Sequence, residues 1–505
     1  MNPRQGKIRA IFLFFFLVSL INTNTDTSFA QEGSLDYSFG NNGFVTSTLQ
    51  YNDSIYTLGP IALDSQSRVV ALAGDNFREN LLVRYTSAGV IDPKFGKQGR
   101  VLLPNEIGSR LVIDHQDRII IGSSPSELSH EVLLTRYTSL GTLDTSFGVQ
   151  GVVKILTGDF EYISPLAIDG LNRVVVGGFV NSASGNLGLV RITSKGALDT
   201  TFGKEGFVRT SVAPENPLIN GGGSVTAIAI DSSNRIVAAG ESQLYDPHFL
   251  VARYDASGNL DTTFGTAGIT STPIGLIAEV KSITLDASAR IVLVGSAGNA
   301  GNPISEQSTP TIARYSSSGI LDSTFGDSGI LQPSVSATGE LSSVATDKLG
   351  RIVAGGYLVD SKGLAQLMLT RISPSGSLDP SFGVQGIDLP KPPGCTVPGK
   401  FQGTINDILI DNSNRIVAVS GNTVTANHGE LDSECNVMLS RYFNYETPAA
   451  SPTPTRSPTP TLIKSPSHPS KVSTAKVTIV CTKGRTTKKV TGAPPKCPIG
   501  YKIRK

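Results

Sequence analysis

Between residues 33 and 446 the chain alternates short apolar runs with small polar clusters, and nothing in the region keeps a helical period. Runs such as "VTAIAID", "RIVAAG" and "FLVARY" are rich in β-branched and aromatic residues and are bounded by Gly, Ser, Asp and Asn. This is the pattern of strands separated by turns.

The runs belong to a repeat. The phrase "LDxxFGxxG" begins at Leu35, Ile91, Leu143, Leu198, Leu260, Leu321 and Leu378, at intervals of 52–62 residues. Between successive phrases stands "DxxxR" followed by an apolar run. Its copies are Asp64 with Arg68, Asp114 with Arg118, Asp169 with Arg173, Asp231 with Arg235, Asp286 with Arg290, Asp347 with Arg351 and Asp411 with Arg415. A third signature is an apolar run ending in Arg at 84, 136, 191, 253, 314, 371 and 441. Four strands per unit and seven units predict an all-β, seven-bladed propeller. The last unit has no "LDxxFG" of its own, so the N-terminal phrase is expected to supply its outer strand and close the ring.

Seven ordered copies of "LDxxFGxxG", with "DxxxR" and "RY" between them, resemble the delta-60 repeat family of extracellular bacterial β-propeller proteins. The resemblance covers residues 33–446. It implies the fold and an exported setting, and it implies no agreed activity and no catalytic residues.

The Asp and Arg of "DxxxR" are read as structural: Asp accepts turn N–H groups, and Arg reaches a carboxylate or carbonyl in the same or the adjacent blade. A cation stands where a calcium loop needs further oxygens, so no metal or other cofactor is expected there. Phe of "FG" packs between blades, and the glycines permit the turns.

Spacing divides the faces. Naming the strands A to D, "DxxxR" is the A–B turn and "LDxxFG" the C–D turn. Asp to Arg in "DxxxR" is always four residues, and the strand-end Arg to the following "LDxxFG" Asp is eight in all six countable cases. The B–C and D–A segments vary, and in an up-and-down blade both lie at the same end. That end is the expected binding face. Its loops, "NDSIY" (52–56), "DNFREN" (75–80), "GDFEY" (158–162), "LYDPHF" (244–249), "NPISEQS" (302–308) and "TANHGELDSE" (425–434), are acidic and aromatic. They suit a protein or glycan partner.

The flanks differ from the body. Arg4, Lys7 and Arg9, the apolar run 10–21 and small residues at Ser28 and Ala30 predict a signal peptide over 1–30, cleaved after Ala30. Twelve apolar residues span about 18 Å as a helix, short of the roughly 30 Å membrane core, so no transmembrane segment is expected in the mature chain. Residues 447–473 read as a Pro/Thr/Ser linker. Residues 474–505 read as a small basic β-hairpin module with Cys481 and Cys497 joined, a loop closure worth roughly 3 kcal/mol. The other two cysteines, Cys395 and Cys435, fall in one blade on the variable face and are expected to pair.

Residues 31–446 carry 28 Lys+Arg against 40 Asp+Glu, while 447–505 carry 12 Lys+Arg and no acid. An exported basic tail fits anionic envelope polymers, and a solubilising tail is the plainer alternative. With Tyr501 the tail's one aromatic residue, nucleic acid is not an expected partner.

No GxSxG, HExxH or P-loop spacing occurs. His115 sits in an A–B turn and His468 in the linker, leaving His130, His248 and His428 on separate blades. No catalytic residue is assigned. The reading is a secreted or cell-surface binding scaffold. Its alternatives are an extracellular hydrolase or lyase using loop carboxylates such as Glu306, Glu430 and Asp432, and a structural surface-assembly protein.

Overall fold

The computed structural model describes residues 33–444 and 477–503. Outside the description within these spans are 47–48, 52–53, 75–79, 104–107, 124–130, 159, 162–164, 181–185, 213–222, 243–247, 276, 299–307, 334–337, 361–362, 391–402, 423–437, 484, 493–495, 498 and 500. The chain forms two compact units, divided between Thr447 and Pro448.

The first unit is a seven-bladed β-propeller of antiparallel blades. Blade 4 shows the plan, with strands A to D at Gly223–Ile230, Ile236–Ser242, His248–Tyr254 and Ile269–Pro273, each paired to the next. The pairing ladder places "DxxxR" between A and B and "LDxxFG" between C and D, as the spacing predicts. Blade 3 has a divided inner strand, Phe160–Glu161 and Leu166–Ile168, both paired to Val174–Val180. In blade 1 a short strand, Leu49–Tyr51, folds back on the inner strand.

The apolar core is divided among the seven blade junctions. The cluster between blades 4 and 5, for example, joins Val237, Phe249, Val251 and Phe264 to Val280, Ile291 and Leu293. Each "FG" Phe is buried at such a junction, and over each ring lies the guanidinium of the strand C arginine of its own blade. Arg136 over Phe147 at 4.2 Å and Arg371 over Phe382 at 4.9 Å are the extremes.

That arginine carries the junction. Arg136 Nε donates to Asp144 Oδ2 at 2.8 Å, while Nη1 donates to the Ser194 carbonyl of the next blade at 2.6 Å. Arg84, Arg191, Arg253, Arg314 and Arg441 repeat the scheme, reaching carbonyls of Ser139, Ala256, Ser317, Pro374 and Ser87. Between Phe and strand D the glycines are required by shape. Gly96 has φ +50° and an added Cβ would lie 2.2 Å from the Arg100 carbonyl oxygen.

The ring closes as the sequence pattern predicts. Phe44–Thr46 pairs with Met438–Tyr442 as the outer strand of blade 7. Arg441 Nε donates to Asp36 at 2.8 Å, a bond spanning almost the whole propeller sequence, and Arg415 lies 3.3 Å from the same oxygen. Blade 7 has no continuous C–D turn, and Asn444 takes over its role. Its buried side-chain oxygen accepts from Arg371 Nη1 at 2.8 Å, where the other blades offer a backbone carbonyl, and its amide donates to Asp347 at 3.1 Å.

The second unit is a three-stranded sheet. Val477–Lys483 pairs with Thr486–Gly492, as the hairpin pattern predicts, and Lys502–Ile503 adds a third strand that sequence alone did not reveal. Cys481 and Cys497 are joined, with Cα atoms 5.7 Å apart. No helix among the described residues is long and apolar enough to cross a membrane.

Removing one partner of a buried ion pair strands the other. Arg191→Ala and Asp36→Ala are each expected to cost about 3–5 kcal/mol in denaturant unfolding, against less than about 1 kcal/mol for exposed Lys204→Ala.

The "LDxxFG" carboxylates also set an acid limit. Burial raises the Asp92 carboxyl, but the Lys94 amide and the Arg84 guanidinium outweigh it and hold its pKa below the ordinary aspartate value. Asp36, Asp144, Asp199, Asp261, Asp322 and Asp379 shift the same way. A depressed carboxyl contributes stability that is complete above its unfolded pKa and is lost as pH falls through the folded one. Thermal unfolding is therefore expected to be insensitive to these groups down to the ordinary aspartate range. Below it, the melting temperature should fall steeply.

Candidate functional site

The "DxxxR" residues are held first by their own turns. Asp64 Oδ1 accepts the N–H groups of Gln66 and Arg68, and Oδ2 accepts Arg68 Nε at 2.6 Å. The same ion pair, at 2.6–2.7 Å, joins Arg118 to Asp114, Arg173 to Asp169, Arg235 to Asp231, Arg290 to Asp286, Arg351 to Asp347 and Arg415 to Asp411.

Beyond that pair the seven arginines differ. Arg68, Arg173 and Arg290 approach the C–D carboxylate of their own blade, with Nη1 3.7 Å from Asp92, 3.6 Å from Asp199 and 3.8 Å from Asp322. Arg118 Nη2 stays in its turn and donates to Gln116 at 3.0 Å. Arg235 is the most exposed of the set, and the ion pair with Asp231 anchors it. Arg351 reaches out of its blade, where Nη2 donates to the Asn444 carbonyl at the seam, at 2.6 Å. The sequence reading let these arginines reach a carboxylate or carbonyl in either the same or the adjacent blade. Arg118, Arg173, Arg235 and Arg290 bond within their own blades, and crossing to the next blade falls mainly to the strand C arginines. These side chains are engaged by the fold on the A–B side.

Chemistry less tied to the repeat lies in the central channel. A cavity of about 520 Å³ is lined by the inner strands of all seven blades. In several of these strands the ladder slips by a residue: between Gly108 and Arg110, Val225 and Ala227, Val280 and Ser282, Leu341 and Ser343, and Ile405 and Asp407. A bulge re-aims side chains locally. The channel wall is not seven-fold uniform. Four residues before each "DxxxR" Asp stand Arg110, Ser343 and Asp407 on blades 2, 6 and 7, but Pro60, Pro165 and Ala227 on blades 1, 3 and 4.

Asp407 accepts from Ile61 N–H at 3.1 Å, Ser343 Oγ at 2.9 Å and its neighbour Ile408 N–H at 2.9 Å. Burial still dominates and raises its pKa, against these bonds and the attraction of Arg110. Arg110 is accessible from the channel but enclosed by protein, and the lost solvation lowers its pKa.

A second group lies toward the D–A end of the inner strands of blades 5 and 6. Lys281 Nζ sits 2.7 Å from Glu279 and 3.2 Å from Glu340. Desolvation would lower the lysine, but the two carboxylates prevail and its pKa rises. Glu340 is raised by burial, with Lys281 opposing. Glu241, on strand B of blade 4, is raised by burial and by the charge of Glu279. Tyr357, paired across the sheet with Glu340, is raised by burial and by that carboxylate. Among the described residues this group at the channel mouth brings together three carboxylates, one ammonium and a phenol. Among the described residues no group of His, Cys, Asp and Glu is arranged to hold a metal ion.

Sequence reasoning did not single out Arg110, Lys281, Glu279, Glu340 or Asp407. A signal existed: charged residues at inner-strand positions where most other repeats have uncharged ones. The loop residues it favoured, including His130, His428, Glu306, Glu430 and Asp432, lie outside the described residues, as do Cys395, Cys435 and the segment 1–30. His248 begins strand C of blade 4, its Nδ1 2.7 Å from Ser271 Oγ. His115 bonds to Asn172 of the next A–B turn. In the second unit Lys483, Arg485, Lys488, Lys489, Lys496 and Lys502 are exposed, with Lys488 over the Tyr501 ring.

A family model described as a domain of unknown function (DUF5122) beta-propeller matches residues 172–202, 232–264 and 350–382. Those stretches are one part of the repeat, running from the A–B turn to the "FG" Phe, in blades 3, 4 and 6. No curated protein matches the chain. Solved structures resemble the chain only at low identity. A polysaccharide lyase of family PL25, an ulvan lyase, is 10% identical, covering 82% of this chain and 95% of its own, with a TM-score of 0.45. A catalytically inactive virginiamycin B lyase from Staphylococcus aureus is 12% identical, covering 79% and 99%, with a TM-score of 0.43. The extracellular domain of a hybrid two-component system from B. thetaiotaomicron is 12% identical over 79% of this chain, with a TM-score of 0.39, and this chain spans only 40% of that one. These likenesses carry no information about activity.

Removing the cation from the mouth leaves Glu340 facing Glu279 and Glu241 without the lysine's opposing charge. In Lys281→Ala the Glu340 carboxyl is expected to titrate at higher pH than in the parent, followed by side-chain carboxyl NMR. An unchanged or lower value would show that the lysine does not set the local field.

Proposed function

We propose that the protein is a secreted or surface-retained binding scaffold of the delta-60 repeat type. Its propeller engages a protein or glycan at the B–C/D–A face and channel mouth, and its basic C-terminal module holds it to an anionic envelope. The observation that carries this reading is a division within each repeat. Every A–B turn keeps one length and its Asp–Arg pair, and the six continuous C–D turns keep one length, while connection length varies at the opposite end and inner-strand chemistry varies between blades. A scaffold that holds one side constant and varies the other is built for recognition. For the tail, the support is six exposed cations on a disulfide-closed sheet and no acidic residue from 447 onward.

A second reading, hydrolase or lyase, draws on one feature. Glu241 and Glu340 are held above the ordinary glutamate value at the mouth, the condition for a carboxyl to serve as an acid near neutral pH.

Chains 31–505 and 31–446 should be compared on phosphatidylglycerol and phosphatidylcholine vesicles over a salt series. The full chain is expected to bind the anionic vesicles and lose affinity with salt, and the shorter chain to bind neither. Equal binding by 31–446 would refute the tether. For the propeller, 31–446 is screened on glycan and secreted-protein arrays. Binding that Glu279→Gln plus Glu340→Gln weakens ten-fold or more supports the mouth as the recognition site, and turnover of a bound glycan lost in Glu340→Gln alone favours the lyase reading.

A further inference from the structure

The A–B turns form a second ring of inter-blade bonds, and that ring is broken on both sides of one blade. The residue before each "DxxxR" Arg adopts a left-handed conformation, with φ between 55° and 61° at its non-glycine positions. In five blades its side chain reaches the turn of the preceding blade. Asp117 accepts from Ser65 N–H at 2.8 Å, Asn172 from His115 N–H at 2.9 Å, and Asn234 from Gly170 N–H at 2.7 Å. Asn414 accepts from Lys348 N–H at 3.0 Å and Ser67 from Asn412 N–H at 3.1 Å. In blades 5 and 6 the position is Ala289 and Gly350, which have no acceptor to offer. Both junctions of blade 5 lack this turn link, and they are crossed instead by Thr226 Oγ1 donating to the Val280 carbonyl at 2.7 Å and Thr346 Oγ1 to the Leu285 carbonyl at 3.1 Å.

Open grooves follow the same two junctions. One of about 930 Å³ runs along the outer edge of blade 5, from Ile274 and Gly275 at the end of blade 4, past Thr309 and Gln332, to Ser375 and Ser377 of blade 6. One of about 370 Å³ runs between blades 4 and 5, between Thr270–Pro273 and Gly319–Leu321. The outer strand of blade 5 is short, Ile330–Leu331, as is that of blade 6, Ile387–Asp388, against five residues in blade 4. In blade 5 Pro310 accounts for this. It stands two residues before Ile312 on strand C, opposite Pro333 of the outer strand, so the next pair of ladder bonds has no N–H on either side. At the channel mouth the ion pair from Lys281 to Glu340 spans the junction of blades 5 and 6.

The obvious rival for weakness is blade 7, whose outer strand comes from the far end of the chain. That junction is the better tied. Both A–B links of blade 7 are present, from Lys348 to Asn414 and from Asn412 to Ser67, and Asn444 joins Arg371 to Asp347.

We propose that blade 5 is the hinge blade of the propeller: it opens locally while the rest of the ring, including the terminal seam, stays closed. Because Lys281 rides on its inner strand, each opening alters the width and charge of the channel.

Native-state hydrogen exchange on chain 31–505 reads this directly. Strand amides of blade 5 (277–331) are expected to exchange through a lower-energy opening than those of blade 7 (33–46 and 403–442). The missing links can be installed. Gly350 has φ +75° and nothing within 4 Å of an added Cβ, and Ala289 already has the φ of its asparagine counterparts. In Ala289→Asn plus Gly350→Asn, each restored bond is expected to slow blade 5 exchange about five-fold, with blade 2 unchanged. Blade 7 exchanging as fast as blade 5, or the double variant leaving blade 5 unaltered, overturns the proposal. Should the variant fail to fold, the parent protein's comparison of blades 5 and 7 decides alone.

Discussion

A buried guanidinium is the constraint around which the propeller is arranged. The strand C arginines are almost wholly removed from water, and such a charge is tolerated only when every direction it faces is answered. In Arg136 the fork meets the Asp144 carboxylate, the ring of Phe147 meets its face, and the outermost nitrogen reaches the carbonyl of the next blade. The three partners come from one "LDxxFG" phrase and one turn of the neighbour. Repetition of the phrase is therefore a consequence of charge burial: each blade can keep its arginine only if its own turn and the next blade are both in place. That dependence passes from blade to blade until the ring meets itself at Asp36 and Arg441.

The same logic separates scaffold from site. Polar residues that recur in every repeat are consumed by the fold, as Asp64 is by Gln66 and Arg68. Polar residues that do not recur collect along the channel. Arg110, Lys281 and Asp407 occupy inner-strand positions where most other blades place uncharged side chains. An inner strand has no strand neighbour on its channel side, so the side chains there sit outside the repeated arginine junctions and chemistry can differ from blade to blade, even where, as at Asp407 and Lys281, it adds bonds of its own between blades.

Breaks in a repeat are informative in the same way. Asn444 replaces a carbonyl at the one place where the C–D turn is interrupted, and it restores the partner that Arg371 requires. Ala289 and Gly350 remove a side-chain acceptor, and what crosses those junctions instead lies beside the turns, as in the bond from the Thr346 hydroxyl to the Leu285 carbonyl. The first break is repaired because a buried charge would otherwise be stranded, whereas a missing exposed turn bond leaves only weaker cohesion.

The sequence by itself determined the strand periodicity, the count of seven blades, the closure by the N-terminal phrase and the hairpin with its Cys481–Cys497 bridge. All of these follow from local spacing: an Asp eight residues after an Arg, or a glycine where only a positive φ permits the turn. It did not single out the strand C arginines as the inter-blade bridge, although it marked their positions, because the Ser194 carbonyl that Arg136 meets carries no residue signature. Nor did "DxxxR" say how far its arginine reaches, since Arg118 and Arg351 read alike in sequence and only the second meets the seam. Only the tertiary structure decided that Glu241, Glu279, Lys281 and Glu340, drawn from three blades, share one channel mouth. It also decided that Asn444 completes the seam and that both junctions of blade 5 lack the turn link. These are meetings between residues far apart in the chain, brought together by the closure of the ring, and no local pattern records which side chains that closure will place face to face.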